Sequence, residues 1–195
     1  MEKKPLLILD LDETLIHASA TLLRPDFDFQ VFDYYVYKRP GLDQFLRACA
    51  GWFELAIWSS ASDDYVAEIV QHIIPPDISL AFVWGRSRCT LMVAPQVDEF
   101  GYYNTDYPSH YEYAKKLRKV RARGFDLKRV LIVDDTPHKV QNCYGNAIYP
   151  TPYLGEDTDN ELPLLQQYLQ TLATAENLRS VEKRQWQQRL TASLE

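Results

Sequence analysis

Two pairs of acidic residues, each set at the end of a short apolar run, are the positions in this sequence best suited to chemistry. Asp10 and Asp12 close "LLILDLD" (6–12) and are followed by Glu13 and Thr14; Asp134 and Asp135 close "RVLIVDD" (129–135). Residues two apart in a strand point to the same side. Asp10 and Asp12 would therefore repel each other and lose hydration unless a cation or protons compensate. A divalent cation resolves that conflict. Magnesium suits it, as a hard ion that takes few carboxylates and keeps phosphate and water as further ligands. A single apolar run ending in Asp is as readily a helix cap or a turn. Two such runs are more telling, because their acids can converge only if both strands lie centrally in one sheet.

The elements that must position these acids follow from periodicity. Apolar runs with little polar alternation recur at "LLILDLD", "FELAIW" (53–58), "SLAFVW" (79–84) and "RVLIVDD", with a weaker fifth at "NAIYPTPY" (146–153). Such runs fit strands buried on both faces, as in a parallel sheet. Between them, "GLDQFLRACAG" places Leu42, Phe45, Leu46 and Cys49 at helical spacing, with Pro40 before and Gly51 after as boundaries. "SDDYVAEIVQHII" does the same for Tyr65, Val66, Ile69, Val70 and Ile73, with Ser62 or Asp63 as cap and Pro75-Pro76 as stop. "SHYEYAKKLRKVRARG" (109–124) reads as a basic helix ending at a glycine. Alternating strand and helix make an open α/β fold, with ligands expected beyond the carboxyl ends of the strands.

Two segments break the alternation. Residues 26–39 alternate aromatic and polar residues and read as a β-ribbon; residues 83–108, with Gly85, Pro95 and Gly101, read as a β-flap. The C-terminal part gives one amphipathic helix and, over 175–195, a looser helical extension that could pack on the body or recruit a partner. The expected organisation is one domain spanning residues 1–195.

Composition narrows the function classes. The chain has 195 residues, 46% hydrophobic, with a formal net charge of -6. That charge argues against a nucleic-acid backbone as the main partner, which usually leaves a basic footprint. No stretch approaches the roughly 20 apolar residues needed to cross a bilayer. The apolar run after the N-terminal lysines is too short for a secretion signal and ends in acids. Cys49, Cys89 and Cys143 are odd in number and widely spaced, which fits a reducing, cytoplasmic setting. Neither His17 nor His138 has zinc-ligand spacing, so structural hydrogen bonding is their expected role. Nothing in the sequence fixes the oligomeric state.

Asp-x-Asp-x-Thr after an apolar strand, with "VLIVDD" downstream, resembles the haloacid dehalogenase (HAD) superfamily. "LDLDETLIH" followed by "KRPGLDQFL" resembles its small C-terminal-domain phosphatase branch, the NIF-like or FCP1-homology type, and the likeness covers residues from about 5 to 170. The resemblance implies a HAD-like, mainly parallel open sheet with flanking helices. It makes Asp10 a nucleophile that forms an aspartyl-phosphate and Asp12 the acid, then base, for the leaving alcohol and attacking water. Magnesium would be held by the Asp10 carboxylate, the Asp12 carbonyl and Asp134, with Asp135 where the branch often has Asn. Thr14 would brace the loop and stand with the phosphate-binding group. That group would also include Ser59 with its neighbour Ser60, Lys115 with Lys116 as the competing register, and Arg86 with Arg88 as its alternative. Read singly, Ser59 is a turn residue, Lys115 a solvated lysine and Arg86 an ordinary loop arginine.

The spaces between these motifs leave no room for a large helical cap, so an open site is expected. It suits a phosphorylated side chain projecting from a protein, with phosphoserine or phosphothreonine favoured by the resemblance and phosphotyrosine possible. The competing readings are a phosphatase of small molecules or nucleic-acid ends, and a non-catalytic binding module on the same fold. The tyrosine-rich stretches "DYYVY" and "GYYNTDYPSHYEY" suit either an aromatic substrate platform or the cover of a sheet edge.

Overall fold

The computed structural model describes residues 3–94, 110–141 and 143–192. Its centre is a five-stranded sheet in which β1 (Leu6–Leu9) lies between β5 (Glu54–Trp58) and β9 (Val130–Val133); β6 (Leu80–Trp84) and β10 (Ala147–Ile148) flank these. Every pairing is parallel, with Leu9 level with Ile57 on one side and Val133 on the other. All four residues of β1 and of β9 are buried. Pleat alternation explains why both strands read as unbroken apolar runs. Leu7 and Leu9 enter the core beneath α1 (Leu42–Trp52), α2 (Asp63–Ile73) and α4 (Glu161–Leu172). Leu6 and Ile8 enter the opposite core with Trp58, Phe82, Trp84 and Val120. Each such side chain contributes about 2 kcal/mol of burial, so β1 is anchored from both faces.

The helices follow the apolar spacing. In α1, Gly41 takes the left-handed conformation (φ 80°) that turns the chain into the helix, and Leu42, Phe45, Leu46 and Cys49 face the core. The helix runs through Gly51 to Trp52 rather than stopping at the glycine. Ser62 occupies the N-cap position of α2, but its side chain makes no capping hydrogen bond.

The aromatic ribbon is the hairpin of β3 (Phe29–Val31) and β4 (Tyr34–Lys38). β2 (Ile16–Ser19) adds a third antiparallel strand that its short, mixed sequence does not announce. Within the flap, β7 (Thr90–Ala94) pairs antiparallel with β8 (His110–Ala114), and residues 95–109 lie outside the described ones. The 109–124 stretch corrects the expected basic helix. Residues 110–114 are strand, and only α3 (Arg118–Arg121) is helical. The strand reading prevails because "HYEYA" carries aromatic residues at alternate positions and finds a partner in "TLMVA". At the C-terminus, α5 (Trp186–Ala192) packs on the body, where Trp186 stacks on Tyr168 (5.5 Å) and donates to the Tyr149 carbonyl (3.0 Å). The three cysteines are free thiols, all buried.

Candidate active site

Because β1 and β9 are adjacent and parallel, the residues that leave them, Asp10 and Asp134, emerge side by side. The Asp10 amide donates to the Val133 carbonyl (3.0 Å) and the Asp134 amide to the Ile148 carbonyl (3.2 Å), so both acids are fixed by continued sheet hydrogen bonding. Carboxylate oxygens of Asp10, Asp134 and Asp135 lie within 4.8 Å of one another. Lys115 bridges two of them. Its Nζ is 2.8 Å from Asp10 Oδ1 and 2.6 Å from Asp134 Oδ2, all three side chains being almost wholly buried. Asp134 is held further by the Thr136 amide on Oδ1 (3.0 Å).

Lys115 reaches this place from the end of β8, not from a helix. Its own amide donates to the Lys139 carbonyl (2.7 Å), which ties the flap strand to the turn that follows Asp134 and Asp135. Lys116, the competing register, is half-buried and makes none of these contacts. Burial alone would lower the Lys115 ammonium, but the Asp10 and Asp134 carboxylates more than offset it and hold the lysine above its ordinary range. Burial pushes the Asp10 carboxyl up, with Lys115 opposing and Asp134 adding to the rise.

This donor set fits a divalent cation. One ammonium against the carboxylates of Asp10, Asp134 and Asp135 leaves two negative charges in a largely dry site, which is costly without a further positive charge. Asp10 Oδ1, although close to Lys115, receives no well-directed hydrogen bond among the described residues. The all-oxygen ligands match a hard divalent cation, the class to which magnesium belongs, rather than a softer metal. The Asp12 carboxylate is not in the group, so any contribution from that residue would come through its carbonyl, as the resemblance implies.

The loop after β1 sends the two signature aspartates in different directions. The amides of Thr14, Leu15 and Ile16 converge on the Leu11 carbonyl (3.2, 2.8 and 3.1 Å), and Glu13 takes a left-handed conformation (φ 57°). This tight turn swings Asp12 outward, where Tyr65 of α2 donates its hydroxyl proton to Asp12 Oδ1 (2.7 Å). Burial pushes the Asp12 carboxyl up; the Tyr65 hydrogen bond opposes and the Asp10 charge adds. An acid that must hold a proton near neutral pH needs a shift in that direction. Tyr65 is the functional candidate that the sequence hid, since its spacing marked it only as part of a buried helix face.

Thr14 is fully buried, its hydroxyl lying 3.4 Å from Asp135 Oδ1 and accepting from the Asp135 amide (3.3 Å). These bonds lock the loop after β1 to the loop after β9, the bracing role expected of it. Arg39, of the "KRPG" stretch, is a second brace and is also buried. It donates to the carbonyls of Thr14 (3.0 Å) and Thr151 (2.8 Å) and pairs doubly with Asp159 (2.8 Å each).

Ser59 ends β5 at the same edge of the sheet. It is buried, its amide donates to Trp84, and its hydroxyl accepts from the Ala61 amide (3.0 Å). Ser60 is half-buried, and its carbonyl accepts from Arg86 Nε (2.9 Å). That bond, with the Arg86 guanidinium lying over the Tyr113 ring at 5.0 Å, fixes Arg86 at the rim. Arg88 turns away to Trp84. His17 lies 3.3 Å from the Glu13 carboxylate, and His138 is exposed; neither joins the acidic group.

Asp12, Glu13, Phe32, Tyr34, Tyr65 and Arg86 line an open cleft of about 340 Å³. Phe32 and Tyr34, from the tip of the β3–β4 hairpin, are 61% and 42% exposed, enough to present an aromatic wall beside Asp12. Hollows of about 430 and 450 Å³ lie near Lys4 and Asp77 and between Tyr149 and Lys183, away from the acidic group. Chemistry rather than size selects the cleft.

Residues 5–179 match the family model described as NLI interacting factor-like phosphatase. The chain is 28% identical over 180 residues to the CTD small phosphatase-like protein 2 of Dictyostelium discoideum, covering 89% of this chain and 28% of that one. It is 29% identical over 197 residues to CTD nuclear envelope phosphatase 1 of Xenopus laevis, covering 93% and 72%. It is also 29% identical to the human carboxy-terminal domain RNA polymerase II polypeptide A small phosphatase 1, covering 89% and 61%. The chain thus spans little more than a quarter of the Dictyostelium protein and less than two thirds of the human one. In fold it is similar to Fcp1, an RNA polymerase II CTD phosphatase, with a TM-score of 0.62 at 20% identity over 87% of this chain and 62% of the other. That likeness places the sheet and its flanking helices in the α/β, HAD-like class.

Proposed function

The chain belongs to the NLI interacting factor-like phosphatase family, and we propose that it hydrolyses phosphomonoesters on protein side chains, phosphoserine or phosphothreonine before phosphotyrosine. The observation that carries this reading is the buried Lys115 bridge between Asp10 and Asp134, with Asp12 swung outward on Tyr65 beside an open cleft.

An Asp10 carboxylate oxygen attacks phosphorus, and the bond from phosphorus to the ester oxygen breaks. Asp12 gives its proton to the departing alcohol. Water then attacks the aspartyl-phosphate, Asp12 takes the proton it releases, and the bond from Asp10 to phosphorus breaks to free inorganic phosphate. Splitting one difficult hydrolysis into two displacements is the advantage of a covalent carboxylate. Lys115 keeps its charge throughout and stabilises the equatorial oxygens of the transferring group, aided by Ser59 and by donors at the sheet edge. Asp10, Asp134 and Asp135, with the Asp12 carbonyl, would hold magnesium, whose charge would offset that of the phosphoryl oxygens and orient them. Arg86 and the aromatic wall of Phe32 and Tyr34 would receive the residues that flank the phosphorylated one.

The test is a substrate panel with Asp10→Asn as control. Wild-type protein with magnesium is expected to turn over phosphopeptides faster than sugar phosphates or nucleotides. Asp10→Asn should abolish turnover while leaving the circular dichroism and melting profile of a folded protein. Faster turnover of metabolites, or an active Asp10→Asn protein, overturns the reading.

A further inference from the structure

The acidic chain carries a strongly basic face, and the mechanism makes no use of it. From Lys116 to Arg129 the sequence holds seven basic residues against a single acid, Asp126, in a protein of net charge -6. The fold draws the basic residues of α3 and the turn after it toward Arg88, at the carboxyl end of β6. Arg88 lies over the Trp84 ring at 4.7 Å, and Arg123 lies over Phe82 and Trp84 at 5.5 and 5.7 Å. Lys119 between them donates to the carbonyls of Arg88 (2.8 Å) and Cys89 (2.9 Å). Burial, with the charges of Arg88, Arg118 and Lys116 acting against the nearby Cys89, lowers the Lys119 ammonium, as like-charge crowding requires.

The absence of counter-ions here is selective. Arg24, Arg39, Arg47 and Arg184 each pair with a carboxylate. Among the described residues, Arg88, Lys116, Arg118, Lys119, Arg121 and Arg123 pair with none. Two of these guanidiniums lie over indole and phenyl rings and, among the described residues, have no carboxylate partner, which suits them to two-point recognition of external carboxylates. Cation repulsion without local compensation is tolerated when it serves an external anion.

The face also borders the site. Lys119 clasps the Cys89 carbonyl, the Cys89 thiol donates to the Ser59 carbonyl (3.6 Å), and Arg118 follows the buried Lys115 by three residues. A polypeptide whose phosphorylated residue enters the cleft has this surface within reach of its flanking sequence. We propose that the face formed by Arg88, Lys119, Arg123 and the exposed side of α3 docks an Asp/Glu-rich stretch of the phosphorylated polypeptide that the neighbouring site dephosphorylates. This rests on the phosphoprotein reading above. Carboxylates fit better than further phosphates, because a second phosphomonoester is itself a substrate for the site and is lost, whereas a carboxylate survives turnover.

The experiment compares three substrates on the whole chain: a phosphopeptide followed by an Asp/Glu run, the same peptide with Asn/Gln in that run, and an aryl phosphate. Arg118→Glu/Arg121→Glu, both on the surface of α3 and outside the catalytic group, serves as the variant. Wild type should prefer the acidic peptide by about tenfold in kcat/KM, through KM, and lose that preference as salt is raised. The variant should lose the preference while keeping wild-type rates on the neutral peptide and the aryl phosphate. Equal KM for the two peptides in wild type overturns the proposal, as does a variant that slows all three substrates together. Salt-sensitive binding of the face to phosphatidylserine vesicles or to duplex DNA, without a preference for the acidic peptide, assigns it to those surfaces instead and equally overturns it. Failure of the wild type on both peptides, with the aryl phosphate still hydrolysed, strikes at the phosphoprotein reading.

Discussion

At the scale of single residues, the proposed protonation of the leaving group rests on the pair formed by Asp12 and Tyr65. The tyrosine hydroxyl occupies one Asp12 oxygen (2.7 Å), which leaves the other to carry the proton. A poor leaving group such as a serine alkoxide depends on that proton, whereas an activated nitrophenolate does not. General acid catalysis is worth about 10²–10⁴-fold, and loss of positioning should remove part of it. Tyr65→Phe is therefore expected to lower kcat on a phosphoserine peptide by about tenfold, with little change on an activated aryl phosphate. Equal loss on both substrates would make Tyr65 a packing residue only. Lys115 is the other single residue on which the site turns. In Lys115→Met, Asp10 and Asp134 are left as buried charges without their cation, so kcat should fall by orders of magnitude. Stability should fall by about 3–5 kcal/mol, read from denaturant unfolding. Asp10 and Asp134 could be named from the sequence, because each closes a buried apolar run, whereas Lys115 came only with the family resemblance, which left Lys116 as its competing register. Tyr65 could not, because its contact with Asp12 depends on how α2 meets the loop after β1, a tertiary angle with no local signature.

At the scale of elements, the sequence was most legible where burial is two-sided and least where a segment's partner lies far along the chain. The runs at 6–12 and 129–135 revealed β1 and β9, since strands covered on both faces have no polar positions to blur the pattern. The stretch 109–124 misled because lysines and arginines after "HYEYA" imitate a helix, while the decisive factor, pairing with Thr90–Ala94, lies outside any local window. The "KRPG" stretch was recognisable as a motif, but its work was not. Arg39 holds the loop after β1, the segment after β10 and the approach to α4 through Thr14, Thr151 and Asp159. Arg39→Ala leaves Asp159 and two carbonyls without their shared donor. It should cost about 3–5 kcal/mol by denaturant unfolding, with kcat falling because Thr14, and with it the turn that presents Asp12, loses its support. A variant with wild-type stability would show that these hydrogen bonds are replaced by water.

At the scale of the whole molecule, the acidic centre makes stability depend on pH and on cations in a direction that can be worked out. Burial raises the carboxyls of Asp10, Asp12 and Glu13, the last to about 7, with neighbouring carboxylates adding to each rise. Between about pH 4, the ordinary carboxyl range, and the raised value near 7 for Glu13, the metal-free native state keeps protons that the unfolded chain has released. Stability therefore falls as pH rises through that window, and the full cost is present above it. Asp77 and Glu182, held low by Arg47 and Arg184, work in the opposite sense, but only near the ordinary carboxyl range of about pH 4 where the unfolded chain still holds their protons, so they do not bear on the comparison above that range. Burial lowers the His17 imidazole, which works in the opposite sense, but it is one partly exposed group against three carboxyls. With screening of the half-exposed Glu13 allowed for, a net effect of about 1 kcal/mol survives, or about 2–4 °C in Tm for a chain of this length. In EDTA, melting at pH 8 should therefore fall below melting at pH 5.5. Of these three carboxyls only Asp10 belongs to the group that could share a cation; magnesium competes with its proton, so it should raise Tm at pH 8 by more than at pH 5.5. A magnesium shift equal at the two pH values, or none at either, would mean that Asp10, Asp134 and Asp135 do not share a cation and that the excess negative charge at the ends of β1 and β9 is relieved by protons alone.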